Sequence, residues 1–165
     1  MTAPPGITIR ATNEIEAWIE CAVMMAATSP WLTMGLDYAY CLKAFEGPCK
    51  EVYIAMLGNT LAGFVILQTC GSFKGYIQTL CVNESLRGRG IGKLLLQFSE
   101  ERILAISPNI FICVSTFNKA ALTLYTRQGF TLVGLLPNFV KGGFNELLLR
   151  KTVGPVAGYV PLHKQ

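Results

Sequence analysis

The sequence predicts one α/β domain (α+β in stricter usage) with a mixed, mostly antiparallel central sheet flanked by four helices. Its length of 165 residues is typical of a single domain. With 52% hydrophobic and 15% charged residues, the chain has enough apolar side chains for a sizeable core, which excludes disorder. Apolar patterns follow in the order β-α-α-β-β-β-α-β-α-β-β, whereas a doubly wound dinucleotide fold needs β-α units throughout.

The N-terminal region predicts a short strand and two helices. Residues 7–10 alternate apolar and polar side chains, as a strand does. Apolar residues at helical spacing follow over residues 15–27, and Ser29-Pro30 ends this helix. A second, shorter helix is predicted over residues 36–45.

Three strands follow in the middle of the chain. Residues 52–57 and 61–69 are apolar runs, and Gly58-Asn59 between them is a two-residue hairpin signal. Residues 76–82 form the next predicted strand, which ends in a polar turn over residues 83–89.

The C-terminal half predicts two helices and three strands. Apolar residues at helical spacing indicate helices over residues 90–106 and 118–128, and Gly129 stands where a glycine is expected after a helix end. The strands are predicted over residues 109–115, 130–135 and 145–151, with residues 137–143 joining the last two.

Charge and composition exclude several function classes. A net charge of +4 is too small to favour a general nucleic-acid binder. The densest apolar run, residues 61–67, is far shorter than the about 20 residues of a membrane-spanning helix, and residues 1–10 show no secretory signal pattern. The six cysteines lack C-x-x-C spacing and His163 is the one histidine, so no metal site is expected.

The cysteines also bear on the compartment. Most of them lie among apolar neighbours, which favours small buried side chains. A reducing, cytoplasmic setting is therefore the default expectation.

A glycine-rich segment, residues 87–93, links the strand at 76–82 to the next helix. Glycines let a backbone approach a ligand closely, and the helix N-terminus adds its positive dipole end, so the segment suits a phosphate. Neither common nucleotide motif fits, since a Walker loop needs Ser or Thr where Leu94 stands and the Rossmann pattern needs a third glycine at 93 or 95. The alternative is a glycine-rich turn with solvated basic residues.

The order of elements and this loop together resemble the GNAT acetyltransferase family. The family's cofactor motif, Gln/Arg-x-x-Gly-x-Gly/Ala between a strand and a helix, matches residues 87–92 at its fixed positions. The resemblance implies that backbone amides of this loop bind the pyrophosphate of acetyl-CoA. The residues to which it assigns this role are Arg87, Gly88, Arg89, Gly90, Ile91 and Gly92.

A second stretch shares the family pattern, with Asn118, then Tyr125 seven residues later, then Gly129-Phe130. Seven residues make nearly two helical turns, so Asn118 and Tyr125 share one face. The resemblance, which covers residues 7–151, implies that Tyr125 protonates the leaving thiolate and that Asn118 orders a water or contacts the pantetheine arm. Taken alone, Tyr125 would be a packing residue and Asn118 a helix cap.

The strand at 76–82 is similar to the family's fourth strand, which lies beside a splayed neighbour. The resemblance assigns main-chain contacts with pantetheine to Leu80 and Val82, and an oxyanion contact to the Leu80 amide. Cys81 alternates away from both, and a packing role is preferred to a covalent acetyl-enzyme because no histidine is near in sequence to activate it.

The general base stays open. Glu84 follows the strand directly, but its place beside the turn favours a solvated carboxylate. Asp37, Glu51 and Tyr76 are the other side-chain candidates, and a base acting through water would leave no mark in the sequence.

In similar enzymes the first two helices and the last hairpin line the acceptor pocket. The corresponding residues 29–37 and 136–144 are rich in aromatic side chains, and Asp37 is their only acid. Because each cation of a polyamine or aminoglycoside needs a partner, a small weakly charged amine or a peptide N-terminus is expected. Trp31, Asp37 and Phe139 are the candidate substrate residues, and the alternative is that the aromatic side chains cover the core.

The sequence thus predicts a domain over residues 1–151 that transfers acetyl from acetyl-CoA to a primary amine by direct attack. The alternatives are a module of the same fold that senses acyl-CoA without turnover, and a structural domain. Residues 152–165 are too apolar for a solvated tail, so they are expected to pack on the domain or on a second protomer in a homodimer. No nucleic-acid or membrane partner is expected.

Overall fold

The computed structural model describes residues 5–161, with strands and helices in nearly the predicted order. The strands are β1 (Ile7–Ala11), β2 (Lys50–Leu57), β3 (Thr60–Gln68), β4 (Tyr76–Val82), β5 (Asn109–Ser115), β6 (Thr131–Pro137) and β7 (Asn145–Thr152). The helices are α1 (Ile15–Ala26), α2 (Trp31–Met34), α3 (Tyr38–Lys43), α4 (Ile91–Leu104) and α5 (Lys119–Arg127).

Within these residues one seven-stranded sheet has the order β1-β2-β3-β4-β5-β7-β6. Neighbouring strands are antiparallel except β4 and β5, which run parallel. The predicted mixed, mostly antiparallel fold is therefore confirmed. In the described chain β4 and β5 pair at Tyr76–Phe111 and Ile77–Ile112 and separate beyond these residues. We call this opening the seam.

The two faces of the sheet bury separate apolar cores. On the side of α4 and α5, Leu95 belongs to a cluster with Val65 and Ile112. On the side of α1 and α3, Met25 belongs to a cluster with Phe64. Helices on both faces remove the apolar side chains of the sheet from water, which is the main stabilising contribution. We call the two sides the α4 face and the α1 face.

The N-terminal region has three helices where the sequence predicts two. The additional helix, α2, begins directly after Pro30 and ends at Gly35, whose φ is 65°. A proline fits a helix start because an N–H there has no helical acceptor, and glycine adopts the left-handed conformation without strain. α3 is shorter than predicted, since Asp37 caps it by accepting a hydrogen bond from the Tyr40 amide at 2.8 Å.

Two of the cysteines require a correction. Cys49 and Cys70 form a disulfide across the ends of β2 and β3, and both are exposed, whereas Cys21, Cys41 and Cys81 are buried as predicted. The bridge joins residues 21 positions apart, which only the pairing of β2 with β3 brings together. Because disulfides persist mainly in oxidising compartments, the cytoplasmic setting stays a prediction.

Within residues 5–161, none of the helices combines the length and the apolar character that a bilayer crossing requires.

The segment after β7 contacts the domain at two points. The Val153 amide donates to the Pro108 carbonyl at 3.0 Å, and the Tyr159 hydroxyl donates to the Leu104 carbonyl at 2.6 Å. Val156 is exposed. Residues 162–165 lie outside the described residues, and the predicted packing of the segment on the domain or on a second protomer stays a prediction.

Candidate active site

A cleft with a volume of about 90 Å³ lies at the seam between β4 and β5. Its lining includes residues 76–80 of β4 and residues 112–115 of β5, together with side chains from α2, α5 and β7. The strands separate at the point where the sheet would otherwise be closed by main-chain hydrogen bonds. The seam therefore leaves room for a ligand inside the sheet.

The cleft reaches both faces of the sheet. Tyr125 belongs to the apolar core on the α4 face. Glu146 lies on the α1 face, because Leu147 and Leu149 of the same strand pack on the α4 face and side chains alternate along a strand. Since Tyr125 and Glu146 both line the cleft, a ligand in the seam would meet one from each side.

The glycine loop has the backbone geometry of an anion site. Gly88 and Gly90 have φ values of 76° and 82°, in the left-handed region that favours glycine. Gly90 is the N-cap of α4, a helix of 14 residues, whose first amides have no partner inside the helix. Arg87 and Arg89 are exposed beside it, and Arg87 forms a weak ion pair with Glu84 at 4.0 Å. These groups fit the pyrophosphate of acetyl-CoA.

Gly92 brings α4 close to the seam. A Cβ atom on Gly92 would lie 3.3 Å from Cδ2 of Leu124 in α5 and 3.5 Å from Cγ2 of Val82 at the end of β4. The missing side chain allows α4, α5 and β4 to pack tightly. The N-terminal end of α4, which Ile91 anchors in the core, thus lies beside the end of β4, two residues beyond Leu80 of the cleft lining.

Asn118 directly precedes α5 and Tyr125 lies within it, and both line the cleft. Asn118 caps the helix by accepting a hydrogen bond from the Ala121 amide at 3.2 Å, and it also lines the cleft. Tyr125 is 6% exposed and contacts the ring of Phe130. Burial raises the pKa of the Tyr125 phenol, so it stays protonated at physiological pH.

Leu80, Val82 and Cys81 occupy the faces that alternation predicts. Leu80 and Val82 pack against the core on the α4 face, whereas Cys81 belongs to the core on the α1 face. The register with β3 shifts at Gln78, which has no partner there, so Ile77 and Leu80 both face the α4 side. Burial raises the pKa of the Cys81 thiol to about 12, so it is a neutral packing group rather than a nucleophilic thiolate.

Three of the four candidate bases lie away from the cleft. Asp37 caps α3, Glu84 is exposed, and Glu51 accepts hydrogen bonds from Arg102 at 2.8 and 2.5 Å. Tyr76 lines the cleft, but burial raises the pKa of its phenol and keeps it neutral. None of these four residues is therefore both ionised and inside the cleft, as a general base must be.

Sequence reasoning missed Glu146. This residue is 4% exposed, lines the cleft, and accepts a hydrogen bond from Oγ of Ser115 at 2.6 Å. Burial raises the pKa of the Glu146 carboxyl, and the Ser115 hydrogen bond lowers it in part. The signal in the sequence is a single acid at the start of an apolar strand, but nothing local shows which face it occupies.

The structure does not bring the three predicted acceptor residues together at the cleft. Trp31, at the start of α2, lines the cleft. Phe139 is 57% exposed on the loop between β6 and β7, and its neighbour Val140 lines the cleft instead. Asp37 does not line it, because its carboxylate caps α3.

Lys141 joins the two segments of the acceptor side. Its Nζ atom donates to the carbonyls of Met34 and Gly35, the second at 3.5 Å. Met34, the last residue of α2, is buried and lines the cleft. The loop between β6 and β7 is thereby held against α2.

Comparison with known proteins places this geometry in a family. Residues 14–130 match the model of the acetyltransferase (GNAT) family. The chain is 33% identical over 153 residues to the N-alpha-acetyltransferase RimI of Mycobacterium tuberculosis, a match that covers 90% of this chain and 92% of that protein. It is also 33% identical over 116 residues to the uncharacterised protein ML0378 of Mycobacterium leprae, of which it spans about a third (32%).

A solved structure shows the same fold. The ribosomal-protein-S18-alanine N-acetyltransferase of Escherichia coli superposes with a TM-score of 0.70 at 15% identity, covering 93% of this chain and 98% of that one. The family model spans most of the chain, and the glycine loop and seam lie within the matched residues. The resemblance seen in the sequence is confirmed, and the chain belongs to the GNAT family of acetyltransferases.

Proposed function

We propose that this protein transfers the acetyl group of acetyl-CoA to a primary amine, either a peptide N-terminus or a small weakly charged amine. The observation that supports this most directly is a cleft through the sheet with distinct ends. The glycine loop and Tyr125 lie toward the α4 face, and Trp31 and Glu146 lie toward the α1 face. The two substrates would therefore meet inside the seam from opposite sides.

The donor would be held mainly by main-chain atoms. Residues 87–92 offer amides and the α4 N-terminus to the pyrophosphate, and Arg87 and Arg89 add positive charge. Leu80 and Val82 lie on the part of β4 that β5 does not pair, so their main-chain groups are available to the pantetheine arm. Acetyl-CoA, when bound, supplies an activated thioester carbonyl.

Tyr125 would donate its phenolic proton to the sulfur that leaves. The raised pKa keeps the phenol protonated, but it also makes the phenol a weaker acid, so placement must supply much of the effect. Tyr125 is enclosed by the core, which holds its ring in one position. Asn118, at the head of the same helix, would contact the pantetheine arm or order a water.

The acceptor side supports an amine of low total charge. Its wall at the cleft includes Trp31, Met34 and Val140, and its acid is Glu146. The similar protein of M. tuberculosis is named an N-alpha-acetyltransferase, and that of E. coli a ribosomal-protein-S18-alanine N-acetyltransferase, which favours a peptide N-terminus over other amines. A polyamine would need several carboxylates at this entrance.

Two measurements test this function in order. Acetyl-CoA at 100-fold above its Kd should raise the free energy of unfolding by about 2.7 kcal/mol in a thermal or chemical unfolding titration. Release of free thiol is then measured with peptides that begin with different residues and with small amines, using N-acetylated peptides as controls. Absence of stabilisation would contradict acetyl-CoA as the donor. Stabilisation without release of thiol in the presence of any acceptor would instead support a non-catalytic acyl-CoA sensor.

A further inference from the structure

Glu146 is a buried acid without a basic partner. Among residues 5–161 the ion pairs involve Glu14, Glu84, Glu51 and Glu100, and the hydrogen bond that Glu146 accepts comes from Ser115. A buried charge is normally paired, because its removal from water is costly. A positive group that enters the cleft would supply the missing partner.

The titratable groups that face Glu146 do not supply this charge. They are Tyr40 on α3, Tyr76 on β4 and Cys113 on β5. Burial raises the pKa of each of the three, so all are neutral at physiological pH. The Ser115 hydroxyl is a neutral hydrogen-bond donor that favours the ionised carboxylate.

The position of Glu146 suits the acceptor rather than the donor. It lies on the α1 face, where Trp31 packs and also lines the cleft, whereas Tyr125 and Ile91 of the glycine loop belong to the core on the other face. The carboxylate and the phenol thus border one cavity of about 90 Å³ from opposite sides of the sheet. A base for the amine and an acid for the sulfur could therefore reach one reacting centre from two sides.

We infer that Glu146 binds the ammonium group of the acceptor and removes the proton that blocks its lone pair. This inference rests on the proposed function. It names Glu146 as the residue that receives the acceptor, and it states that the acceptor enters as an ammonium ion. It makes Glu146 a catalytic residue, since its carboxylate would touch the reacting nitrogen.

The protons balance over the reaction. The acceptor enters as RNH₃⁺ and passes one proton to the Glu146 carboxylate, which leaves a neutral amine with a free electron pair. The C–N bond then forms and the C–S bond breaks, and Tyr125 gives its proton to the departing thiolate. The new amide nitrogen loses a second proton, which passes through water and restores the Tyr125 phenol. Glu146 gives the first proton to bulk water, so one H⁺ is released per acetyl group.

The first test compares Glu146→Gln with the wild type in acetyl-CoA-dependent acetylation of a hexapeptide that begins with alanine. Glutamine keeps the shape and can accept from Ser115, but it cannot take a proton. We expect kcat/KM to fall by about 100-fold or more. Glu16→Gln, an exposed acid on α1, is the matched control and should keep the wild-type rate.

A pH profile separates proton transfer from a structural role. Wild-type kcat/KM should fall on the acid side as Glu146 becomes protonated. Ser115→Ala removes the hydrogen bond that favours the carboxylate, so this acid limb should move to higher pH. Glu146→Asp should restore part of the rate and keep an acid limb, whereas Glu146→Gln should lack it. Circular dichroism and acetyl-CoA binding check that each variant is folded.

A binding experiment tests the role of Glu146 without relying on turnover. Calorimetry compares the hexapeptide with its N-acetylated form on the wild type and on Glu146→Gln, each in the presence of coenzyme A. We expect the wild type to prefer the free N-terminus by about tenfold and the variant to lose this preference. Equal binding of both peptides by the wild type, or an unchanged preference and acid limb in Glu146→Gln, would overturn the role of Glu146. Loss of turnover with all acceptors, but with this preference intact, would overturn the proposed function alone.

Discussion

Lys141, in the loop after β6, donates a hydrogen bond from Nζ to the carbonyl of Met34 at the end of α2, 107 residues earlier in the chain. Met34 and Val140, the neighbour of Lys141, both line the cleft. This bond therefore holds together the two segments between which an acceptor would pass. It also satisfies a carbonyl at a helix end, where such groups lack an intrahelical donor.

Removal of this contact should loosen the acceptor side. In Lys141→Met the aliphatic chain remains but the hydrogen-bond donor is lost. The arrangement in which the loop lies against α2 should then be less stable by about 1 kcal/mol. We expect the KM for the acceptor to rise about fivefold while acetyl-CoA affinity stays the same. Steady-state kinetics measure this, with the exposed Lys43→Met on α3 as the control. An unchanged acceptor KM would show that the contact does not shape the entrance.

Tyr125→Phe should separate chemistry from donor binding. The substitution removes only the hydroxyl of a buried ring, so we expect kcat to fall by about 100-fold with acetyl-CoA affinity nearly unchanged. Because the pKa of the phenol is raised, we also expect no alkaline loss of wild-type activity from Tyr125 below about pH 10. Tyr38→Phe, on the surface of α3, is the control. Equal kcat values for the wild type and Tyr125→Phe would show that Tyr125 is not the proton donor.

Arg87→Ala should weaken donor binding without a change in stability. The Arg87 side chain is about half exposed, and its ion pair with Glu84 is long, so the free energy of unfolding should stay within about 0.5 kcal/mol of the wild type. Loss of a charged contact with phosphate should reduce acetyl-CoA affinity about tenfold. Arg10→Ala removes an exposed ion pair with Glu14 of similar length and serves as the control. The same affinity in both variants would count against a phosphate contact at Arg87.

Glu146→Gln should stabilise the protein at neutral pH even as it impairs activity. Burial raises the folded-state pKa of Glu146, so the charged form is disfavoured on folding, and this residue's contribution to stability is lost as pH rises through that pKa. Glutamine is neutral throughout, so the variant should have the higher free energy of unfolding at pH 7. The difference should shrink toward pH 4, where wild-type Glu146 is protonated. Urea unfolding at both values of pH measures this, and a variant less stable at pH 7 would contradict it.

The C-terminal segment can be tested through Tyr159. Tyr159→Phe removes the hydroxyl that donates to the Leu104 carbonyl at 2.6 Å, and the free energy of unfolding should fall by about 1 kcal/mol. Val156→Ala, at an exposed position, should change it by less than about 0.5 kcal/mol. Light scattering on a chain that ends at residue 152 tests the second-protomer alternative. A lower oligomer mass after truncation would support it, and an unchanged mass would exclude it.

Local patterns were sufficient for much of the fold, for the backbone of the glycine loop and for the placement of Asn118 and Tyr125. The glycine loop needs a particular backbone conformation between a strand and a helix, and the spacing of Asn118 and Tyr125 follows from helical geometry. These features lie within about a dozen neighbouring residues. Sequence reasoning can therefore recover them from a single stretch of chain.

The remaining features depend on residues that are distant in sequence. Glu146 faces the cleft because of the register between β5 and β7, where it lies opposite Ser115. The Cys49–Cys70 bridge depends on the register between β2 and β3, and the Lys141 contact depends on how the last hairpin approaches α2. A shift of one residue in either register would turn these side chains to the opposite face. Nothing in the adjacent sequence reports that register.

The seam has a consequence for how such a protein can change during evolution. Main-chain groups of β4 are the same whatever side chains the strand carries, so a donor held by them places few demands on residue identity. The proposed acceptor side is instead formed by side chains of α2, β7 and the loop after β6, which line the cleft. Under the proposed function, substitutions there would alter which amine is acetylated, while the main-chain contacts with the donor would stay the same.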